Sequence, residues 1–167
     1  EKTIGIIGLG DIGQKVARIA KAFNMNVLGV NKSNNVVEGV KLVDLNTLYK
    51  ESDIIAVCTP LTSETENLIS DEAVSKMKDG VIIVNCAMEK ITNKEAIFKG
   101  LENGKIFGFG IETEISQPAD PSYLDHPRII VTPHNAFNTE DANKKTYEMA
   151  VENVIKFIDG NPIRLIA

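Results

Sequence analysis

Tryptophan is absent, aromatic residues make up 5% of the chain, and its 167 residues include two cysteines. Two cysteines build no disulfide framework of the kind small secreted domains depend on. Cys58 and Cys86 both sit inside apolar runs, IIAVCTP and IIVNCA, and read as buried free thiols of a reducing, cytoplasmic setting. There is no surplus of positive charge. Lys and Arg total 18 against 23 Asp and Glu, net −5, which argues against a general nucleic-acid binder. No run approaches the roughly 18 uninterrupted apolar residues of a membrane span. No signal-peptide pattern, internal repeat, low-complexity tract or interior linker stands out, and no metal site is expected. What remains is 43% hydrophobic and 25% charged, ordinary globular usage in a chain long enough to bury its own core. The chain opens at Glu1 and enters an apolar strand at once, as expected of a piece cut from a longer protein.

Short β-branched runs alternate with longer amphipathic stretches. Strands are expected at residues 3–7, 26–30, 53–59, 81–85, 106–111 and 129–132. Most are continuously apolar, as strands covered on both faces should be. Helices are expected at 11–24, 44–51, 70–78, 93–103 and 139–159. In the first, Ile12, Val16, Ile19, Ala20 and Phe23 recur at three- and four-residue steps and predict one buried apolar stripe. Ser70 and Asn93 suit N-caps, and Gly80, Gly104 and Gly160 suit helix ends. One long irregular segment, 113–127, is rich in Pro, Ser and Asp, and loops of that length are commonly functional. The pattern predicts one α/β domain over 1–167, a doubly wound (Rossmann) parallel sheet with helices on both faces.

Gly8-Leu9-Gly10-Asp11-Ile12-Gly13 follows the first strand and opens the first helix. The string alone is weak, because a plain strand–helix turn also favours glycine. In this context each glycine has its own role, namely the tight turn, the approach to a pyrophosphate, and close helix–strand packing. The amides near Asp11 and Ile12 then offer a positive dipole end to the phosphates. The acidic residue that bonds the ribose hydroxyls in such sites is missing. After the second strand come Asn31, Lys32 and Ser33. Without a carboxylate to repel it, a 2′-phosphate can bond Lys32 and Ser33, so the reading is NAD(P) with a leaning to NADP.

Three longer segments carry a resemblance. CTPLTSETENLIS, MKDGVIIVNCAMEKITNKEAIFKGLENGKIFGFGIET and TPHNAFNTEDA resemble the corresponding motifs of the D-isomer-specific 2-hydroxyacid dehydrogenases. Almost the whole chain is covered, with spacing preserved. The resemblance implies the NAD(P)-binding domain of a glycerate, phosphoglycerate or hydroxypyruvate type of dehydrogenase, with a separate substrate domain elsewhere and a homodimer formed through this domain. It implies cofactor contacts from Cys58, Thr59, Pro60, Thr65, Cys86, Ala87, Glu112 and His134, beside Gly8, Gly10, Asp11, Ile12, Gly13, Asn31, Lys32 and Ser33. A small 2-hydroxy or 2-oxo acid is the implied partner.

The family's catalytic trio of Arg, Glu and His carries over unevenly. His134, in Thr132-Pro133-His134, matches the acid/base histidine. Met88 stands where the family has arginine, and Gln117 where it has the glutamate that pairs with histidine. A thioether makes none of the bidentate charged bonds by which guanidinium holds a carboxylate. A neutral amide orients an imidazole without stabilising its charged form. The leading reading is therefore an oxidoreductase, with doubtful turnover. The alternative is a catalytically impaired dinucleotide-binding regulator or partner-binding module. Lys90 reads as solvated, and His126 as a surface residue.

Overall fold

The computed structural model describes residues 1–32, 36–113 and 120–164. They fall into two compact units, Glu1–Pro133 and His134–Ala167. The first contains β1 (Thr3–Ile7), α1 (Asp11–Ala22), β2 (Asn26–Val30), β3 (Lys41–Leu42), α2 (Leu45–Glu51) and β4 (Ile54–Val57). It continues with α3 (Asp71–Lys76), β5 (Val81–Asn85), a 3₁₀ turn (Glu89–Ile91), α4 (Lys94–Glu102), β6 (Ile106–Glu112), α5 (Pro121–Leu124) and β7 (Ile129–Thr132). The second is built on α6 (Glu140–Ile158).

All seven strands are parallel, in the order β3-β2-β1-β4-β5-β6-β7. Each crossover carries the chain back over a face, so the sheet is doubly wound as the sequence pattern implies. Ala17 and Ala20 of α1 close a smaller core with Ile4, Ile6, Leu9, Val27 and Ala56 on one face. On the other face α2, α3, α4 and α5 close a larger core with Ile55, Val57, Ile83 and Phe109 among its members. Each fully buried side chain of this size contributes about 1.5–3 kcal/mol relative to exposure.

The helix starts follow local chemistry. Ser70 accepts from the Ala73 amide at 3.3 Å, and Asn93 from the Ala96 amide at 2.9 Å, as capping residues do. Gly104 and Gly160 sit just past the caps of α4 and α6 with φ of 79° and 74°. Gly80 also has positive φ, but α3 ends earlier, at Lys76.

Several expectations need correction. The stripe on α1 is buried only in part: Ala20 is buried and Val16 packs on the smaller core, whereas Ile12, Ile19 and Phe23 are 57%, 58% and 76% exposed, and Gly13 and Ala17 complete the buried face. Small residues let the helix lie close on the sheet, and the large ones are left outside. The strand expected at 53–59 is shortened to Ile54–Val57, and the two-residue β3 lies in what the periodicity leaves as a connection. Within 113–127 stands a short helix, α5, begun by Asp120, whose carboxylate accepts from the Ser122 amide at 2.9 Å.

Candidate functional site

β1, β2, β4, β5 and β6 are parallel, so their C-terminal ends share one edge of the first unit. The strand order reverses between β1 and β4, and in open α/β sheets ligands collect outside that switch point. The glycine loop leaves β1 there. Gly8 has φ of 95°, and a Cβ on it would lie 2.8 Å from the Cys58 carbonyl oxygen. A Cβ on Gly13 would lie 1.9 Å from the Gly8 carbonyl oxygen. Neither position admits a side chain. Gly10 differs: a Cβ there meets nothing within 4 Å. Gly10 is also the N-cap of α1, and no side chain caps the helix. Open space over an uncapped helix start fits a phosphate group. Asp11, Ile12 and Gly13 form the first turn behind it.

Beyond β4, Cys58 donates its amide to Ile7 at 2.8 Å, and Thr59 and Pro60 lead into a tight loop. Thr65 holds this loop together. Its hydroxyl donates to the Pro60 carbonyl at 2.7 Å and accepts from the Thr62 amide at 2.8 Å. The structure thus places Thr65 as a brace for the segment that carries Thr59 and Pro60.

Beyond β5, Asn85 is the organiser, a role the sequence reading missed. It is 1% exposed, accepts from the Ala87 amide at 2.9 Å, and donates to the Met88 carbonyl at 3.0 Å. Thr92, also buried, donates to the Glu89 carbonyl at 2.9 Å and closes the turn. The signal was a polar residue ending an otherwise apolar strand, where only buried hydrogen bonds keep an amide. Met88 is half-buried and packs against the larger core. Lys90 is exposed, as expected.

The thiols are not the buried hydrophobes expected. Cys58 is half-buried and Cys86 is exposed. The Cys58 thiol donates a hydrogen bond that lowers the Cys86 thiol to about 7, against burial and the charge of Glu112. The same contact, with burial, pushes Cys58 up.

Asn31 follows β2, and Lys32 forms an exposed ion pair with Glu64 at 3.0 Å. Glu112 ends β6 opposite Thr132. Ser33 and Gln117 lie outside the described residues. His134 belongs to the second unit, two residues past β7, with φ of 49° and its ring edge-on to Phe137 at 5.7 Å. His126 is no simple surface residue. It is half-buried, edge-on to Phe98 at 5.8 Å, and its Nδ1 accepts from the Arg128 amide at 3.2 Å. Among the described residues no group of three His, Cys, Asp or Glu is gathered to hold a metal, and no helix is long and apolar enough to cross a membrane.

The family model of the D-isomer specific 2-hydroxyacid dehydrogenase NAD binding domain matches residues 1–136. The chain belongs to this family. D-3-phosphoglycerate dehydrogenase of Bacillus subtilis is 36% identical, over 97% of this chain and 32% of its own length. Hydroxypyruvate reductase of Thermotoga maritima is 38% identical, over 93% of this chain and 52% of its own length. A solved acyclic imino acid reductase in complex with NADPH and D-Arg superposes with a TM-score of 0.91 at 32% identity, covering 99% of this chain and 54% of that one. D-lactate dehydrogenase with NAD+ from Lactobacillus jensenii gives 0.89 at 32% identity, covering 99% and 55%. This family domain thus spans about a third to a half of the relatives it matches. Its cofactor class is the nicotinamide dinucleotides. Relatives named as dehydrogenases and reductases favour the oxidoreductase reading over a non-catalytic regulator.

Proposed function

We propose that this chain is the dinucleotide-binding part of a cytoplasmic dehydrogenase that interconverts a small 2-hydroxy acid and its 2-oxo acid, with a separate substrate domain. The observation that carries the reading is the glycine loop at the switch point, closed to side chains at Gly8 and Gly13 and open at Gly10. The bound dinucleotide supplies or accepts a hydride. Asp11, Ile12 and the loop glycines would hold its pyrophosphate, with Asn31, Lys32 and Ser33 at the adenosine ribose. Cys58, Thr59, Pro60, Cys86, Ala87 and Glu112 would flank the nicotinamide half, the Pro60 segment being braced by Thr65.

NADP(H) is expected to bind at least as well as NAD(H). No carboxylate follows β2, and the exposed Lys32–Glu64 pair is cheap to exchange for a phosphate, such pairs being worth about 0–1 kcal/mol. His134 would pass a proton to or from the substrate oxygen. Met88 and Gln117 weaken the grip on a carboxylate and on the histidine, so turnover of simple 2-oxo acids is expected to be low. A homodimer through this domain completes the reading.

One observation favours a second substrate class. Met88 supplies no charge to polarise a carbonyl, and an iminium carbon, already positive, needs none. The imino acid reductase among the similar structures fits that chemistry. The test is titration of the intact protein with NADH and NADPH, then a panel of 2-oxo acids with and without an amine. Lys32→Ala should weaken NADPH alone, by about 1.5–3 kcal/mol for a lost charge-assisted contact. Equal losses for both cofactors would remove the phosphate role. Turnover only in the presence of amine would select the imine reading.

A further inference from the structure

β4 and β5 are paired in parallel with Val57 opposite Asn85. The ladder runs on past the strands through the Cys86 amide, which donates to the Val57 carbonyl at 3.1 Å. The next pair in that register is Cys58 and Cys86. Successive side chains alternate between faces, so both thiols leave the sheet on the side opposite Val57 and Asn85. Cys58 accordingly packs against the smaller core, whereas Val57 belongs to the larger one. Neighbouring strands lie about 4.7–4.9 Å apart, inside the roughly 4.4–6.8 Å that a disulfide spans between Cα atoms. The thiols are near enough for each to shift the other's titration.

We propose that Cys58 and Cys86 are an oxidation site for peroxides, with Cys86 as the attacking thiolate and Cys58 as the resolving thiol, and that the resulting disulfide impairs dinucleotide binding. The consequence for binding rests on the cleft assignment made under Proposed function; the chemistry of the pair does not.

Exposure and thiolate character decide which sulfur reacts first, and both favour Cys86. Glu112 and partial burial oppose its charge, and the Cys58 hydrogen bond outweighs them. With hydrogen peroxide, the Cys86 sulfur attacks one oxygen; the S–O bond forms, the O–O bond breaks, and the departing hydroxide leaves as water after taking a proton. The Cys58 sulfur then attacks the sulfenic sulfur. The S–S bond forms, the S–O bond breaks, and a second water leaves with the Cys58 proton. Two thiols and one peroxide become one disulfide and two waters.

The route to the cofactor is short. Besides its contact with the Cys58 carbonyl, a Cβ on Gly8 would lie 2.9 Å from the Thr59 Cα. The glycine loop and the Cys58 backbone therefore share one close-packed contact. Closing the two sulfurs to a bond of about 2.05 Å pulls on that backbone and on the loop against it.

The test begins with the fully reduced chain, treated or untreated with hydrogen peroxide. Titratable thiols should fall from two to none. The intact mass should drop by about 2 Da, for the two hydrogens lost. Peptide mapping should link residues 58 and 86 within one chain. NADH affinity should fall about tenfold, equivalent to 1.4 kcal/mol, and return on reduction with dithiothreitol. Cys58→Ser should leave a dimedone-reactive sulfenic acid on Cys86 and form no disulfide; Cys86→Ser should leave Cys58 slow to oxidise. Two thiols surviving peroxide, or links only between chains, would overturn the pair. Full NADH affinity in the disulfide form would overturn the consequence. A reduced chain that binds no NADH would refute the cleft assignment and the consequence together, while thiol count and mass would still decide the pair.

Discussion

The loop glycines and Met88 show how side-chain size and charge set the expected chemistry. Gly10 faces open space, so Gly10→Val adds no clash within the protein and leaves the fold intact. The added side chain occupies the space proposed for the pyrophosphate, and calorimetry should show dinucleotide binding lost while the circular dichroism spectrum is unchanged. Binding at wild-type strength would move the phosphate elsewhere. Gly8 and Gly13 would make poor probes of this question, because any Cβ there meets backbone. Met88 makes the opposite case. Its side chain packs on the larger core, while the turn is held through its backbone carbonyl by Asn85, a bond that a substitution at 88 leaves in place. Met88→Arg should therefore fold and, in the intact protein, raise turnover of 2-oxo acids by restoring a carboxylate anchor, since orientation of the reacting atoms supplies much of such rates. If Met88→Arg lowers turnover while the wild type works at an ordinary rate of about 1–10³ per second, the anchor lies in another domain.

At the scale of elements, what was legible in the sequence was whatever is decided locally. Long apolar runs became strands, and Ser70 and Asn93 became caps, because each depends on a few neighbouring residues. The buried face of α1 was legible only at Val16 and Ala20. Periodicity weights large residues, whereas the sheet selected Gly13, Ala17 and Ala20 for close approach. β3 was hidden because two residues carry no period, and Asn85 because its partners appear only once the turn at 86–92 has formed. Asp53 is a further element-level device. It joins the starts of β1 and β4 by accepting from the Thr3 amide at 2.8 Å, with Lys2 and Lys78 at 3.4 and 3.5 Å. Those contacts, the amide first, hold its carboxyl below its ordinary value near 3.8. A depressed carboxyl stabilises the fold above its unfolded value, and the contribution is lost as pH falls through the lower folded value. Asp53→Asn keeps an acceptor for the Thr3 amide but removes the charge, and should thus cost up to about 1 kcal/mol near pH 7, the charge-dependent part of these contacts. Denaturant titrations should show wild type and variant converging at acid pH. A gap that stays constant down to that range would assign the cost to packing.

For the whole molecule, the apolar residues left outside matter most. Ile19 stands exposed on α1 and Phe23 at its C-cap, and Phe107 and Ile130 stand exposed on β6 and β7 of the same unit. Large apolar side chains left exposed on α1 are the raw material of an interface. A second copy of the chain is the occupant implied by the family resemblance, and a symmetric pair would bury each patch in its counterpart. Light scattering and sedimentation equilibrium should then show dimers that dissociate on dilution. Charged side chains in the middle of such a contact are costly to desolvate. Ile19→Lys with Phe23→Lys should therefore weaken dimerisation by at least about tenfold, or 1.4 kcal/mol, for each lost anchor. Ile19 and the C-cap residue Phe23 are both mostly exposed, so the fold should survive the change. Dinucleotide affinity offers the control, since the glycine loop is contributed by a single chain. A double variant that stays dimeric would move the interface off α1. A wild type that is monomeric at every concentration would mean that these side chains are covered by another part of a longer protein, and the stripe on α1 would then be a contact between domains of one chain.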